Sequence, residues 1–357
     1  MEPPLPSPSP GETPRQRRRR RWRRGCLLGL VLVLPLGELG LRGCCPQPPR
    51  GFSAGLFARG ADGLTRLAPG AQGTHYSREF HVEVAADARG YRARVGVAPE
   101  ARDGAVWCLG DSFLFGWGVS APEVATARLT ADGLPCANLG MPGDGLAAYP
   151  LRLREALAQG GAPRAVVFVV YDNDFSEFEL APSPAEPPAP SLRERVLGLH
   201  TVRLGGRVLD GLGLSAVAAN LGGYRAQRAA ILARDLWIHE PARAGELAPA
   251  LAALRAALAA TPPGTPRHVL RVVPRYAAGG EGTQEALALL ERDAADFDLT
   301  RLSATLAQLC AGEGASYREL RPADPTQEAS WYFPFDLHLT PAGQAALAEA
   351  LRAAVAD

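Results

Sequence analysis

AVWCLGDSF, residues 105–113, is the segment whose reading decides the fold. Five apolar residues follow one another and stop at Gly110-Asp111-Ser112. A strand with one wet face alternates apolar and polar residues, whereas an unbroken apolar run ending in a turn signal marks a strand covered on both faces. CANL (136–139) stops at Gly140-Met141-Pro142-Gly143, AVVFVV (165–170) at Tyr171-Asp172-Asn173-Asp174, and HVLRVV (268–273) at Pro274. Ser316–Leu320 is a weaker fifth strand. Between them lie Ala/Leu-rich stretches of helical period, among them Leu151–Gln159, Leu247–Ala260 and Thr283–Gly312. Near the C-terminus Leu347, Leu351 and Val355 fall on one helical face, with Thr340 and Pro341 as N-cap and first residue. Buried strands alternating with helices predict an α/β fold with a parallel sheet covered on both faces. Ligands of such sheets bind beyond the carboxyl ends of the strands, where Ser112, Gly140 and Asn173 all fall.

The rest of the chain is organised around this body. Of 357 residues, 47% are hydrophobic and 21% charged, enough apolar surface for a core. The formal net charge of +1 conceals an asymmetry. Residues 15–24, RQRRRRRWRR, carry eight arginines, and setting these aside leaves about −7 for the remainder. That balance excludes a uniformly basic nucleic-acid binder, and the composition excludes a collagen, a coiled coil and a disulfide-dense mini-protein. Cys26, Cys44, Cys45, Cys108, Cys136 and Cys310 show no zinc spacing and no C-x-x-C pair, and Cys108 and Cys136 read as buried thiols.

Residues 1–24 are a Pro-rich then basic head expected to be disordered. An apolar stretch follows over 25–43, interrupted by Glu38. Basic then apolar is the order of a signal anchor, and the positive-inside rule keeps the arginines cytoplasmic and sends the body across the membrane. Leu41-Arg42-Gly43-Cys44 has a lipobox outline and Arg23-Arg24 a twin-arginine outline; both are weaker readings than the anchor. Residues 44–100 read as a linker and a small β-rich lead-in, in which His75–Val84 looks like an edge strand or hairpin arm. Residues 101–357 form the main domain, with an insertion at about 180–245 that begins with the Pro-rich APSPAEPPAP and reads as a lid or as covering helices.

An esterase needs a nucleophilic hydroxyl, a base, an acid to orient the base, and donors for the oxyanion. Ser112 follows a buried strand, where Gly110 permits a sharp turn. His338 is a candidate base, and Asp336 can accept from its ring. Backbone N–H groups at Ser112 and Gly140, with the Asn173 amide, can converge on an oxyanion. Asn173-Asp174 alone is also compatible with a turn or a calcium ligand. Gly51-Phe52-Ser53-Ala54-Gly55 matches the G-x-S-x-G elbow but follows a Pro-rich spacer, not a buried strand, so it is read as a chance match. His75, His81, His200, His239 and His268 show no companion pattern and are read as surface or structural.

These residues resemble the SGNH hydrolase family, also called GDSL esterases. Gly110-Asp111-Ser112-Phe113 is similar to its first block, with Phe for Leu. Asn138-Leu139-Gly140-Met141-Pro142-Gly143 is similar to the second, Asn173-Asp174 to the third, and Asp336-Leu337-His338 to the last. The resemblance covers about residues 105–355, takes in Gly90-Tyr91-Arg92 upstream, and is nearest to membrane-anchored bacterial members, which also carry the Glu38-x-x-x-Arg42 pair. It implies a flavodoxin-like three-layer α/β/α sandwich with a central five-stranded parallel sheet. It further implies a triad of Ser112, His338 and Asp336, an oxyanion hole of Ser112, Gly140 and Asn173, and no metal or organic cofactor. Two blocks depart from the pattern: Tyr171 stands where the third has glycine, and the last reads Asp-x-His, not Asp-x-x-His, which leaves Asp324 as an alternative acid. The expected activity is hydrolysis of a small-molecule, glycan or lipid ester, such as an O-acetyl sugar, outside the cytoplasmic membrane, with no nucleic-acid partner. Acyl transfer to an envelope polysaccharide and non-catalytic carbohydrate binding on the same scaffold are the alternatives.

Overall fold

A computed structural model describes residues 35–47, 50–93, 102–176, 179, 191–217 and 223–356. The basic head, most of the apolar stretch 25–43 and the Pro-rich segment 181–190 lie outside these residues. The chain divides into two compact units, one built from residues up to 49 together with 188–218, the other from 50–187 with 219–357.

The larger unit opens with a lead-in of short strands. β1 (Gly51–Phe52), β4 (Gln72–Tyr76), β5 (His81–Ala86) and β6 (Arg92–Ala93) make a four-stranded antiparallel sheet, and β2 (Phe57–Arg59) pairs with β3 (Thr65–Leu67) as a hairpin. The stretch expected to be one arm, His75–Val84, holds parts of both arms of the β4–β5 hairpin, turning at Ser77–Phe80 where the Ser77 N–H donates to the Phe80 carbonyl. The matched G-x-S-x-G has no helix after it. Ser53 instead closes the β1–β4 pair by accepting the Thr74 N–H on Oγ at 2.8 Å.

The central sheet comprises β7 (Val106–Leu109), β8 (Cys136–Asn138), β9 (Ala165–Val170), β10 (Arg267–Val272) and β11 (Ser316–Leu320), all parallel, in the order β8-β7-β9-β10-β11. This is the doubly wound order in which the chain switches direction between the first and third strands. Period-2 alternation along β9 sends Val166, Phe168 and Val170 to one face and Val167 and Val169 to the other. The first face packs on the helices Tyr149–Ala158, Ala248–Ala259 and Arg301–Gly312 through Leu153, Leu254, Leu306 and their neighbours. The second packs on Ala125–Ala131 and Pro341–Ala356 through Leu129, Leu347 and Leu351. The three-layer sandwich with five parallel strands is therefore as the sequence led one to expect.

Two expectations differ in detail. Thr283–Gly312 is two helices, Glu281–Leu290 and Arg301–Gly312, because Glu291 turns into the left-handed region at φ 54° and ends the first. The insertion expected at 180–245 is divided. Leu192–Leu197 and His200–Gly211 belong to the small unit, while Tyr224–Leu236 packs in the large one through Leu232 and Leu236.

Candidate active site

The chain leaves β7 through Gly110, where a Cβ would come within 2.9 Å of the Val169 carbonyl and of the Leu114 side chain. Only glycine fits there, and the next residues wind at once into the one-turn helix Ser112–Phe115. Asp111 caps it by accepting the Phe113 N–H at 2.9 Å. Gly116, at φ 84°, terminates it. Arg92 then clamps its open end: Nη1 donates to the Phe115 carbonyl at 2.8 Å and to Gly116, Nη2 to Val119, and the guanidinium lies over the Phe115 ring. This accounts for the Gly90-Tyr91-Arg92 signal upstream. Gly90 sits at φ 83°, where a Cβ would also meet the Leu67 carbonyl at 2.8 Å.

Ser112 Oγ lies 2.8 Å from His338 Nε2, and His338 Nδ1 lies 2.6 Å from Asp336 Oδ1. With Asp336 accepting the Nδ1 hydrogen, the Nε2 lone pair faces the serine. The two-residue spacing works because Leu337 takes φ 71°, a left-handed conformation that costs a leucine about 1–2 kcal/mol. The loop is held at both ends: Phe333 N–H donates to the His338 carbonyl at 2.9 Å, and Thr340 N–H to the Trp331 carbonyl at 2.8 Å. Asp324 is elsewhere. It is exposed and caps Pro325–Trp331 by accepting the Gln327 N–H, so the alternative acid is already spent on a helix.

Three supports escaped the sequence reading. Trp117 stacks on the His338 ring at 4.8 Å and donates its indole N–H to Asp336 Oδ2 at 3.2 Å. Glu79, in the turn of the β4–β5 hairpin, accepts the Phe335 and Asp336 N–H groups at 3.0 and 2.7 Å. Gln344, buried on the C-terminal helix, donates to the Phe113 carbonyl at 2.8 Å and accepts the Ala125 N–H at 3.0 Å, tying that helix to the serine turn. Each pairs residues far apart in sequence and leaves no local pattern. The segment read as a linker and lead-in thus supplies Glu79, and also His75, whose buried ring packs against Trp117 at 4.4 Å. Burial holds His75 down to about 4, so it is neutral at neutral pH. Burial also pushes Asp336 up, but the hydrogen bonds from His338 and Trp117 win and hold its carboxyl below the usual range.

At the second strand end, Gly140 approaches the serine turn so closely that a Cβ would lie 2.7 Å from the Phe115 nitrogen. Its N–H donates to Asn138 Oδ1 at 2.9 Å, while Asn138 Nδ2 donates to the Leu114 carbonyl. The Gly140 donor is therefore engaged inward, which the sequence could not indicate. At the third, Tyr171 stacks on Phe113 with centroids 3.7 Å apart, filling the space a glycine would leave. Asn173 begins a short helix and lines the pocket. Asp174 turns away from solvent and accepts the Tyr171 N–H at 2.8 Å and the Tyr149 hydroxyl at 2.9 Å. Burial, reinforced by the charge of Asp111, holds its carboxyl well above the ordinary range. Beneath, the buried Asp172 is locked by Arg271 and His239, each at 2.7 Å.

Beside the buried serine, His338, Asp336 and Asn173 line a cavity of about 420 Å³, within the usual range for small-molecule sites. Phe113, Trp117 and Tyr171 line it together with Tyr224, Arg228 and Ile231 of the helix Tyr224–Leu236. Tyr224 packs edge-on against Phe335, beside Asp336. Among the described residues no cluster of three His, Cys, Asp or Glu side chains is placed to hold a metal.

No family model matches the sequence, and no curated protein matches it. Solved structures do match. A protein from Lactobacillus plantarum is 17% identical over 72% of this chain and 97% of its own, with a TM-score of 0.38. A member of the lipolytic protein G-D-S-L family from Veillonella parvula is 12% identical over 70% of this chain and 96% of its own, with a TM-score of 0.37.

Proposed function

We propose that this chain is a serine esterase that forms an acyl-enzyme on Ser112. The observation that carries the reading is the continuous relay from Ser112 Oγ through His338 to Asp336, at 2.8 and 2.6 Å, with His338 and Asp336 lining the cavity. Geometry of this kind is what nucleophile activation requires. Ser112 Oγ attacks the ester carbonyl as its proton passes to His338 Nε2. The resulting imidazolium is steadied by Asp336, which stays ionised. His338 then returns the proton to the departing alkoxide, leaving the acyl group on Ser112. Water, deprotonated by the same ring, attacks the acyl carbon and releases the acid and the free serine.

The oxyanion is assigned to the Ser112 N–H, an amide that the start of a helix leaves without an intrahelical partner, and to the Asn173 amide. The Gly140 N–H serves only by sharing its hydrogen with Asn138. The substrate class is a carboxylic ester of a sugar or lipid, and the enzyme is anchored by its N-terminal segment with the catalytic unit on the extracytoplasmic side. The experiment is turnover of short-chain p-nitrophenyl esters and O-acetylated sugars, with and without a sugar acceptor. Release of free acid supports the reading; acylated acceptor in place of acid shifts it to transfer. No turnover of any ester, with glycan binding retained, replaces it with a binding function.

A further inference from the structure

The smaller unit is built inside out. Its helix His200–Gly211 has Leu204, Val208 and, just past its end, Leu212 in one row, flanked by Val202 and Leu209, with Arg203, Arg207 and Asp210 on the opposite face. In a helix docked on a protein core the apolar face is covered and the charged face is wet. Here the polar side is the engaged one. Arg203 and Arg207 donate to the backbone and side-chain carbonyls of Gln47 at 3.1 and 2.9 Å. The Gln47 N–H donates to His200 Nδ1 at 2.7 Å. Glu38 caps the helix start, accepting the His200 and Thr201 N–H groups at 2.9 Å each and the Thr201 hydroxyl at 3.0 Å, while Arg42 donates to the same carboxylate.

The apolar side faces outward. Val208 is 52% exposed and Leu212 68%. Every large hydrophobic side chain exposed among the described residues belongs to this unit, including Leu36 and Leu39 on the helix over 35–44 and Leu192 on Leu192–Leu197. Scattered exposed leucines are ordinary, but a concentration confined to one unit marks a contact surface.

We propose that this surface lies in the headgroup and upper acyl region of a phospholipid bilayer, as a second membrane contact beside the N-terminal segment; it rests on the anchor part of the function proposed above. Chain continuity argues for lipid over a protein partner. In the sequence, the helix that carries Glu38 directly follows the apolar residues 26–34, CLLGLVLVL, themselves preceded by the arginine run. Glu38 fixes His200–Gly211 to the end of that stretch, so the helix is held where the stretch would leave the bilayer. At 12 residues it is about 18 Å long, too short to span and long enough to lie in the interface plane. Among the described residues no helix is long and apolar enough to cross a membrane. Arg195, exposed on Leu192–Leu197, adds a cation that favours anionic lipid.

The test uses the full chain in vesicles of phosphatidylcholine and phosphatidylglycerol, with Cys26, Cys44 and Cys45 replaced by serine. Single labels are placed through Leu204→Cys, Val208→Cys and, on the opposite face, Arg207→Cys, each carrying an environment-sensitive fluorophore. Doxyl lipid is the quencher. The expected result is several-fold stronger quenching at 204 and 208 than at 207, abolished at 208 when Leu204→Glu and Leu212→Glu are added while the chain stays on the vesicles. Equal weak quenching at all three sites in vesicle-bound chain overturns the second contact and leaves the anchor standing. Chain that floats free of the vesicles overturns both. Fluorophore self-quenching that unlabelled chain dilutes away overturns it in favour of a second copy on this face. Ester turnover is read on the same samples, so loss of the esterase reading is registered separately.

Discussion

Asp336→Asn is the most informative single substitution at the relay, because the surroundings dictate how the new amide sits. Asp336 Oδ2 accepts the Trp117 indole N–H at 3.2 Å, and Oδ1 accepts from His338 Nδ1 at 2.6 Å. An indole nitrogen can only donate. The asparagine oxygen must therefore face Trp117, which turns the NH2 group toward His338 Nδ1. That ring nitrogen then has to accept, so the proton moves to Nε2 and the lone pair that faced Ser112 is lost. A wrong tautomer with unchanged geometry costs about 10³- to 10⁴-fold in kcat, roughly 4–5.5 kcal/mol at 1.36 per decade. Adding Trp117→Phe removes the donor that fixes the amide, and the substituted side chain can then turn its oxygen to the ring. The double variant should thus be more active than Asp336→Asn alone, although Trp117→Phe by itself should cost about tenfold through the lost hydrogen bond and stacking. Steady-state kinetics on a p-nitrophenyl ester provide the assay, with Asp324→Asn as the unaffected comparison. Asp336→Asn within threefold of wild type, or a double variant worse than either single one by the product of their effects, would refute the reasoning.

Glu79→Gln keeps the side-chain shape but can accept only one of the Phe335 and Asp336 N–H groups, stranding the other. It should lower kcat by about 10- to 100-fold through a misplaced Asp336, with KM little changed, which a kcat-against-KM comparison checks. Asp174→Asn bears on pH. The native state keeps the Asp174 proton beyond the pH at which the unfolded chain releases it, so this group's contribution to stability falls as pH rises above the ordinary aspartate range. The asparagine variant should therefore gain on wild type as pH rises above about 4, measured by urea unfolding. Asp336 has the opposite sign: its lowered value contributes stability above the ordinary carboxylate range and loses it as pH falls through the native value, so the stability gap between wild type and Asp336→Asn should close on acidification. Gln344→Ala leaves the buried Phe113 carbonyl and Ala125 N–H unpaired and should cost about 2–4 kcal/mol in the same unfolding assay.

Four of the five sheet strands were legible in the sequence because burial on both faces leaves an apolar run that stops at a turn signal, whereas β11 is half-buried and carries no such run. Ser112, Gly140 and Asn173 could be placed because strand ends are predictable wherever strands are. Asp336 and His338 could be paired from proximity in sequence, although the left-handed Leu337 that lets them meet carries no signal in a leucine. The break at Glu291 was hidden for the same reason, since a helix usually announces such a turn with glycine. Trp117, Glu79 and Gln344 were illegible because each acts across a separation of more than two hundred residues. That the Gly140 N–H donates to Asn138 Oδ1 was illegible because glycine predicts close approach but not which acceptor the amide meets. The helix His200–Gly211 has a plain amphipathic period, yet period alone does not reveal which face is turned outward.

The central claim is that Ser112 is a nucleophile activated by His338, and covalent capture tests it most directly. Full chain treated with a fluorophosphonate should carry one adduct, and peptide mass spectrometry should place it on Ser112. Ser112→Ala should carry none, and His338→Ala should react far more slowly. An adduct on another residue, or labelling of Ser112→Ala equal to wild type, would contradict the account.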